Sequence, residues 1–463
     1  MSNQQAQAST NRLGTAPISR LLLEFSVPAT VGMLVNAIYN VVDRLFIGHT
    51  EGLSKNGLAA MTVAFPVMMI MMAFAIMIGV GGSTMFSIHL GRREKEKADS
   101  YLGNALLLMI FFSVLFTVFG ILFLDRILIL FGASETVLPY AREYLSIVLY
   151  GAVFQTISLG LNNFIRANGS PNISMISMII GAVFNIVFDA VLIFGFGMGM
   201  AGAALATIGG QALSTLWGLL YFRTNKQTRI SKACLKPSLR KMVKIITTGI
   251  PSFVMNVIGS VLQTVLNASL LKYGGDLALS AMGIVNSLQT FLVMPVVGIN
   301  QGMQPIVSYN FGAGKINRAH RTLALSMISA TVITIISWAL SFFFPVPLVS
   351  IFTTEAELID MAAIFCRNWF LALVVVGPQI VGSNYFQAVG KPGIATVLTL
   401  MRQVLVLIPL ILILPHFIGL YGITYAAPIS DLIAGIAVGI ALAVFLPGER
   451  KRMHALQAQP SEK

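Results

Sequence analysis

Long apolar stretches alternate with short polar segments along the whole chain. Each stretch is long enough to cross about 30 Å of hydrocarbon, which takes about 20 helical residues. The pattern therefore predicts an all-α polytopic membrane protein with twelve transmembrane helices. The predicted spans lie near residues 19–47, 57–88, 99–124, 136–166, 171–195, 200–222, 240–271, 277–309, 318–344, 356–388, 392–414 and 419–446.

Basic residues are concentrated in the segments that would lie on one side of the membrane. The even-numbered loops and both termini hold 23 of the 30 Lys and Arg residues. By the positive-inside rule, both termini are expected in the cytoplasm and the protein in the plasma (inner) membrane. Topology thus accounts for the net charge of +13. We expect the lipid bilayer to be the partner of these cations, and not nucleic acid.

The composition agrees with a membrane location. The chain is 56% hydrophobic and 10% charged, with a mean hydropathy of +0.83, whereas soluble proteins are about 25% charged. Its two cysteines and five histidines show no metal-ligand spacing, and no phosphate-binding loop or catalytic triad pattern occurs. We therefore expect neither an enzymatic activity nor a cofactor other than a coupling ion.

The two halves of the chain match at a constant offset. The stretch "GSTMFSIHLGRREKEKADSYL" (82–102) aligns with "MQPIVSYNFGAGKINRAHRTL" (303–323), and "FIRANGSPN" (164–172) aligns with "YFQAVGKPG" (385–393), both at an offset of 221. Transporter folds often carry such repeats, and six spans per repeat predict two parallel, pseudo-symmetric six-helix lobes. The predicted parts are a cytoplasmic tail (1–18), an N-terminal lobe (19–222), a basic linker (223–239), a C-terminal lobe (240–446) and a second cytoplasmic tail (447–463).

Acidic residues are rare at membrane depth. Of the 17 Asp and Glu residues, only Asp43, Asp189 and Asp431 lie deep in predicted spans. A charged side chain there costs at least about 2.5–3.5 kcal/mol, so it normally faces a cavity or a partner and marks a functional site.

Amides accompany two of these acids at helical spacing, in the sets Asn36, Asn40, Asp43 and Asn185, Asp189. Both acids come late in helices that run outward, so we expect the polar groups to converge in the N-terminal lobe. Such a pocket would hold one cation, either a proton or Na⁺. The alternatives are that Asp43 pairs with Arg44 and that the asparagines only join helices.

Three motifs together resemble the multidrug and toxic compound extrusion (MATE) family. They are "FSVPATVGMLVNAIYNVVDRLFIGH" in the first span, "LGRREKEKA" after the second and "RANGSPN" after the fourth. The resemblance is strongest to its DinF-like branch, which includes MepA-type drug exporters. It implies an antiporter that exports bulky, often cationic, organic compounds by alternating access of two lobes, and we expect a monomer.

The resemblance also implies which residues bind the coupling ion. The matching positions are Asp43 and Asp189 for the acids of the first and fifth helices, Asn185 for the amide of the fifth, Thr207 for the hydroxyl of the sixth and Asn162 for the amide of the fourth. We favour H⁺ over Na⁺, because a proton needs only a carboxylate whereas Na⁺ needs several oxygens at fixed distances.

The C-terminal lobe has a different polar pattern. At the repeat offset, Leu410 and Val406 stand where the N-terminal lobe has Asp189 and Asn185, so coupling is expected in the N-terminal lobe. The candidate substrate-binding residues are Asn256, Gln263, Asn267, Gln289 and Asp431. The sequence allows Asp431 either to attract cationic substrates or to pair with Arg402 of the neighbouring helix.

The main alternative function is a flippase for a lipid-linked saccharide or polyprenyl precursor, because a related superfamily also pairs six-helix lobes. A flippase that handles pyrophosphate should line its cavity with cations, and Arg402 is the only clear candidate in the deep spans. A sensor or membrane scaffold fits poorly with paired intramembrane acids.

Overall fold

The computed structural model describes residues 12–48, 50, 54–225, 228–231 and 233–458, and nearly all of them are helical. The N-terminal half contains α1 (Ile18–Gly48), α2 (Ser54–Gly91), α3 (Lys95–Leu122), α4 (Leu124–Leu130), α5 (Leu138–Tyr150), α6 (Ala152–Ala167), α7 (Pro171–Asp189) and α8 (Gly199–Thr224). The C-terminal half contains α9 (Leu239–Gly312), α10 (Ile316–Phe343), α11 (Pro345–Val349), α12 (Ala356–Trp369), α13 (Leu373–Ala388), α14 (Pro392–Leu400), α15 (Ile408–Ile413), α16 (Pro415–Ile418) and α17 (Leu420–Ala458). The predicted all-α fold is confirmed.

The number of spans depends on how the broken helices are counted. Among the described residues, nine helices are long and apolar enough to cross a membrane, or eleven if each of two bent helix pairs is one span. The predicted twelve are reached only if α9, with 74 residues, is counted as two spans. At 1.5 Å per residue α9 would be about 110 Å long, several times the thickness of the hydrocarbon. Its helical torsion angles are interrupted at Gly275 (φ 65°, ψ −160°), between the predicted seventh and eighth spans.

Backbone geometry recurs at the offset of the sequence repeat. Left-handed torsion angles occur at Arg93 (φ 62°) and Gly314 (φ 71°), and again at Gly169 (φ 87°) and Gly390 (φ 76°). The latter two glycines each stand two residues before the proline that begins the next helix, which fits the turn chemistry of glycine and proline. The pairs α5–α6 and α12–α13 are bent by 54° and 51°. The two halves of the chain therefore share local structure as well as residues.

The described chain forms two compact units, and each has its own apolar core. The first contains residues 12–15 and 31–256, and the second contains residues 16–30 and 257–458. Residues such as Met71, Leu128 and Tyr144 are fully buried in the first core. The start of α1 thus packs within the second unit and the start of α9 within the first. The sequence repeat instead assigns the start of α1 to the N-terminal lobe and the start of α9 to the C-terminal lobe.

Candidate cation site

Asp43 lies near the carboxyl end of α1, and its side chain is buried in the first unit. It is 4% exposed, although Val41 and Leu45 on the same helix are 55% and 52% exposed. Asn40 is exposed, Asn36 is half-buried, and the Asn40 Nδ2 donates a hydrogen bond to the Asn36 carbonyl at 2.7 Å. By their spacing, Asn36 and Asn40 share the helix face of Asp43. The Asn40 amide, however, donates its hydrogen bond to its own helix.

The end of α7 supplies a second acid and an amide. Asn185 and Asp189 are both buried, with 2% and 0% of their surface exposed. The α-helical geometry stops directly after Asp189, and residues Ala190–Gly195 form a π-helical turn. Such turns are rare in proteins overall, but those that occur often lie at functional sites. The Asn185 Nδ2 donates to Thr207 Oγ1 of α8 at 3.4 Å, a long hydrogen bond.

The two acids interact electrostatically, since the charge of Asp43 acts on the carboxyl group of Asp189. Four buried oxygens, namely Asp43 Oδ1, Asp189 Oδ1 and Oδ2 and Asn185 Oδ1, have no hydrogen-bond partner within the described part of the chain. Burying unpaired charged oxygens is strongly unfavourable. A proton or a hard cation would relieve the repulsion between the acids and would satisfy these oxygens.

Two tyrosine hydroxyls belong to the same surroundings. Tyr144 of α5 is 1% exposed, and its hydroxyl hydrogen-bonds to Thr207. Tyr39 lies one turn before Asp43 on α1, and both tyrosines interact electrostatically with both acids. Sequence reasoning missed these residues. The spacing of four residues to Asp43 could have indicated Tyr39, whereas only the tertiary structure brings Tyr144 to the acids.

The alternative pairing of Asp43 with Arg44 is not formed in the described structure. Arg44 is exposed, and its guanidinium carbon lies 5.7 Å from the centre of the Phe65 ring. Neighbours in sequence do not share a helix face, so Arg44 acts on Asp43 only through its charge. No group of three or more His, Cys, Asp or Glu side chains that could hold a metal ion occurs among the residues described.

Comparison with known proteins identifies the family of this chain. The sequence model of the MatE family matches residues 28–191 and 251–413, which include Asp43 and Asp189. The chain belongs to the MatE family. It is 28% identical over 423 residues to the multidrug export protein MepA of Staphylococcus aureus (strain MRSA252), covering 91% of this chain and 93% of that relative. MepA of Staphylococcus haemolyticus is also 28% identical, over 417 residues, with 90% and 91% covered.

Solved MATE structures resemble the whole MatE chain. The MATE multidrug transporter DinF-BH, in complex with the dye rhodamine 6G, is 38% identical and superposes with a TM-score of 0.85, covering 93% of this chain and 97% of that chain. A MATE structure in a bent conformation gives a TM-score of 0.91 over 96% and 99% of the two chains, but at 23% identity it shows the fold alone. The resemblance to the MATE family and to its DinF-like and MepA-type members is confirmed. The chain therefore belongs to a family of transporters.

Asn162 lies outside the cluster around Asp43 and Asp189. Its side-chain oxygen and its carbonyl accept hydrogen bonds from Ser174 Oγ, at 3.1 and 3.2 Å. Ser174 stands 15 residues before Asp189 on α7, about 22 Å along the helix axis. Within this MatE structure the Asn162 side chain therefore joins α6 to the first turn of α7, where Arg166 also binds Ser174 Oγ at 3.0 Å.

Asp431 forms an ion pair in the second unit of the MatE fold. Its Oδ1 accepts a hydrogen bond from Arg402 Nε at 2.8 Å, and Arg402 Nη2 lies 2.8 Å from the same oxygen in an ion pair. The Arg402 side chain is 18% exposed and that of Asp431 is 8% exposed. Arg402 belongs to the π-helical turn Met401–Leu407, and Ser430 Oγ donates to its carbonyl at 2.8 Å. Of the two alternatives for Asp431, the structure forms the pair with Arg402.

The amides proposed for substrate binding form hydrogen bonds within the protein. Gln263 Nε2 donates to Asn267 Oδ1 at 2.9 Å on α9, and Asn256 Nδ2 donates to a carbonyl of its own helix. Gln289 Oε1 accepts from Trp369 Nε1 at 3.0 Å, which joins α9 to α12. The assignment of these residues to substrate binding stays a prediction.

We expect Thr207→Ala to slow export about fivefold. The Thr207 hydroxyl joins Asn185 to Tyr144, and the loss of one neutral hydrogen bond is worth on the order of 1 kcal/mol. The measurement is the initial rate of export of the same rhodamine dye from vesicles. Thr207→Ser keeps the hydroxyl and should export at nearly the wild-type rate. Complete loss of export in the alanine variant would contradict a merely supporting role.

Proposed function

We propose that this chain is a cation-coupled antiporter that exports bulky, often cationic, organic compounds. The observation that carries the proposal is the pair of buried, interacting carboxylates of Asp43 and Asp189, three of whose oxygens lack hydrogen-bond partners among the described residues. The relatives named multidrug export proteins match more than nine-tenths of the chain at 28% identity, and DinF-BH binds an organic dye. Both similarities support an organic substrate.

The site works by exchanging a single charge. Two neighbouring carboxylates in a low-dielectric environment repel each other, so they take up a cation when one is available. Release of that cation restores the repulsion, which favours a different arrangement of the surrounding helices. If substrate and cation stabilise different states, the inward gradient of the cation drives substrate outward by alternating access.

The structure gives little support to the alternative function as a flippase. A flippase needs cations to bind a pyrophosphate group, and Arg402 is the candidate that the sequence supplies. Its guanidinium group already forms an ion pair and a hydrogen bond with Asp431. A paired guanidinium attracts an anionic headgroup much less than a free one does, so this cation does not favour a pyrophosphate substrate.

Protons are favoured over Na⁺ as the coupling ion. Hard metal cations are typically held by about six oxygens at fixed distances. The cluster provides four buried oxygens without partners among the described residues, whereas the Thr207 hydroxyl is already hydrogen-bonded. A proton needs only one carboxylate oxygen and a neighbour that accepts its hydrogen bond, and the cluster has both.

A pH gradient alone should therefore drive export. In vesicles containing the purified protein, transport of the rhodamine dye is measured with an imposed pH gradient at equal Na⁺, and separately with a Na⁺ gradient at equal, clamped pH. We expect transport in the first case and only the leak of protein-free vesicles in the second. Transport driven by Na⁺ at equal pH would overturn the choice of protons.

The cellular setting follows from the distribution of charge. Because the basic residues are concentrated in the loops on one side, we place the protein in the plasma membrane with both termini in the cytoplasm. One chain already supplies both lobes that alternating access requires, so the proposed unit of function is a monomer.

A further inference from the structure

Cations from three separate stretches converge at one end of the first unit. Arg92 follows α2, Lys97 lies in the first turn of α3, and Arg240 lies in the first turn of α9. The charges of all three act on the hydroxyl of Tyr101. The ring of His89 stacks on the Tyr101 ring with the centres 5.1 Å apart. We call Arg92, Lys97 and Arg240 the cationic cluster.

The segment before α9 is fixed firmly to α3, which brings Arg240 to the cluster. Asn104 is fully buried, and its Nδ2 donates to the Lys236 carbonyl at 3.2 Å. Its Oδ1 accepts from the Ser238 amide at 2.8 Å. A Cβ atom at Gly103 would lie 2.0 Å from the Cys234 carbonyl oxygen, so only glycine permits this backbone contact. The convergence is therefore built into the fold and does not depend on flexible side chains meeting by chance.

Further charged groups lie at the same place. Lys241, one residue after Arg240, donates its Nζ to Ser100 Oγ at 2.5 Å. Three acids belong to the same segment, Glu94, Glu96 and Asp99, and Glu94 contacts Lys97 Nζ at 2.9 Å and His89 Nδ1 at 2.5 Å. Hydrogen bonds from Lys97 and His89 lower the pKa of Glu94 to about 2, so it remains a carboxylate. The same stretches hold six cations, Arg92, Arg93, Lys95, Lys97, Arg240 and Lys241, against these three acids, so positive charge is in excess.

The position of the cluster favours a lipid as the source of the compensating anion. The apolar helix α2 ends at Gly91 and the apolar helix α3 begins at Lys95, so the cluster lies at the level where spans leave the hydrocarbon. Arg92, Lys97 and Arg240 are exposed there. Cations at this level meet the phosphates of the adjoining leaflet, and each contributes about 1 kcal/mol to binding of anionic lipid.

We propose that the cationic cluster binds the headgroup phosphate of an anionic phospholipid. The guanidinium groups of Arg92 and Arg240 supply paired N–H donors for the phosphate oxygens, and Lys97 adds a point charge. The second unit does not repeat the cluster residue for residue: at the repeat offset Arg92 and Tyr101 correspond to Ala313 and Thr322, whereas Lys97 corresponds to Arg318. The inference is independent of the coupling ion and of the exported compound.

The test uses the full-length protein in a neutral detergent. Binding of dioctanoyl phosphatidylglycerol is measured by native mass spectrometry and by calorimetry, beside dioctanoyl phosphatidylcholine and soluble glycerol phosphate. The variant carries Arg92→Gln, Lys97→Gln and Arg240→Gln. A loss of about fivefold per cation predicts affinity for phosphatidylglycerol lower by on the order of a hundredfold. The control variant, with Arg223→Gln, Arg229→Gln and Arg321→Gln, removes the same charge from exposed positions outside the cluster and should bind nearly as tightly as wild type.

Each outcome decides the proposal. Equal loss in both triple variants would show a general charge effect, and equal binding of phosphatidylcholine would show that no anionic headgroup is required; either overturns it. Tight binding of glycerol phosphate would make the site one for a soluble anion and would also overturn it. If the triple variant does not fold, two further measurements decide. Binding of phosphatidylglycerol to the cluster must weaken in the single variant Lys97→Gln, and it must weaken in the wild type as the salt concentration rises.

Discussion

Replacing Asp43 or Asp189 with asparagine is expected to reduce coupled export of the rhodamine dye to the rate of protein-free vesicles. Asparagine keeps the size and the hydrogen-bonding oxygen of the side chain, but it can neither carry nor release the charge that couples ion movement to export. Both acids are buried, and the charge of Asp43 acts on Asp189. Because removal of one acid also removes the repulsion that drives ion release, each single variant should fail. The measurement is dye export driven by a pH gradient.

A matched control separates the loss of coupling from the loss of any acid. Asp99 of α3 also has a buried Oδ1 without a hydrogen-bond partner among the described residues, but the charge that acts on it is that of Lys95. Asp99→Asn should therefore export at close to the wild-type rate. Wild-type export by either Asp43→Asn or Asp189→Asn, with normal insertion, would contradict the site. Export lost equally in Asp99→Asn would point to a structural cause.

Much of the fold could be predicted because the lengths of the apolar stretches and the residues in the turns determine it. The limits of the first predicted span, 19–47, differ from those of α1 by one residue at each end. The turns at Gly169 and Gly390 follow from glycine before proline. The left-handed break at Gly275 falls between the predicted spans 240–271 and 277–309, although α9 is helical on both sides of it. The π-helical turns depend on packing between helices and leave no sequence signal.

The site could be predicted only in part, because helical spacing aligns residues within one helix but not between helices. Asp43, Asp189, Asn185 and Thr207 are brought together in the first unit. The assignment of Asn162 rests on the family resemblance alone, and its hydrogen bond to Ser174 places it near the other end of α7. The hydroxyl of Tyr144 reaches the acids through the packing of α5, which no spacing in the sequence reveals.

The compact units and the sequence repeat describe different properties of the chain. The repeat offset records which segments correspond, and it predicts lobes at 19–222 and 240–446. The compact units record which segments pack together, and they assign residues 16–30 to the second unit and the start of α9 to the first. Long helices make this difference expected, because the two ends of one helix can pack against different neighbours.

Replacing Asp431 with asparagine is expected to destabilise the protein by about 3–5 kcal/mol, because the change strands the buried guanidinium of Arg402. Arg402 Nε and Nη2 both lie 2.8 Å from Asp431 Oδ1, and both side chains are largely buried. The measurements are the thermal unfolding temperature in detergent and the folded yield. As the matched control, Asp125→Asn breaks the exposed pair with Arg142, whose side chains are 48% and 54% exposed. It should cost less than about 1 kcal/mol.

The double variant Arg402→Gln with Asp431→Asn distinguishes a structural pair from a substrate contact. Two neutral amides can hydrogen-bond to each other without leaving a charge buried, so the pair predicts recovery of most of the lost stability. If Asp431 instead attracts cationic substrates, Asp431→Asn should keep its folded yield and lose export of cationic compounds while neutral ones still pass. Normal stability together with unchanged cation export in the single variant would reject both roles. Because Asp431 is already ion-paired and hydrogen-bonded with Arg402, we expect the loss of stability and its recovery in the double variant.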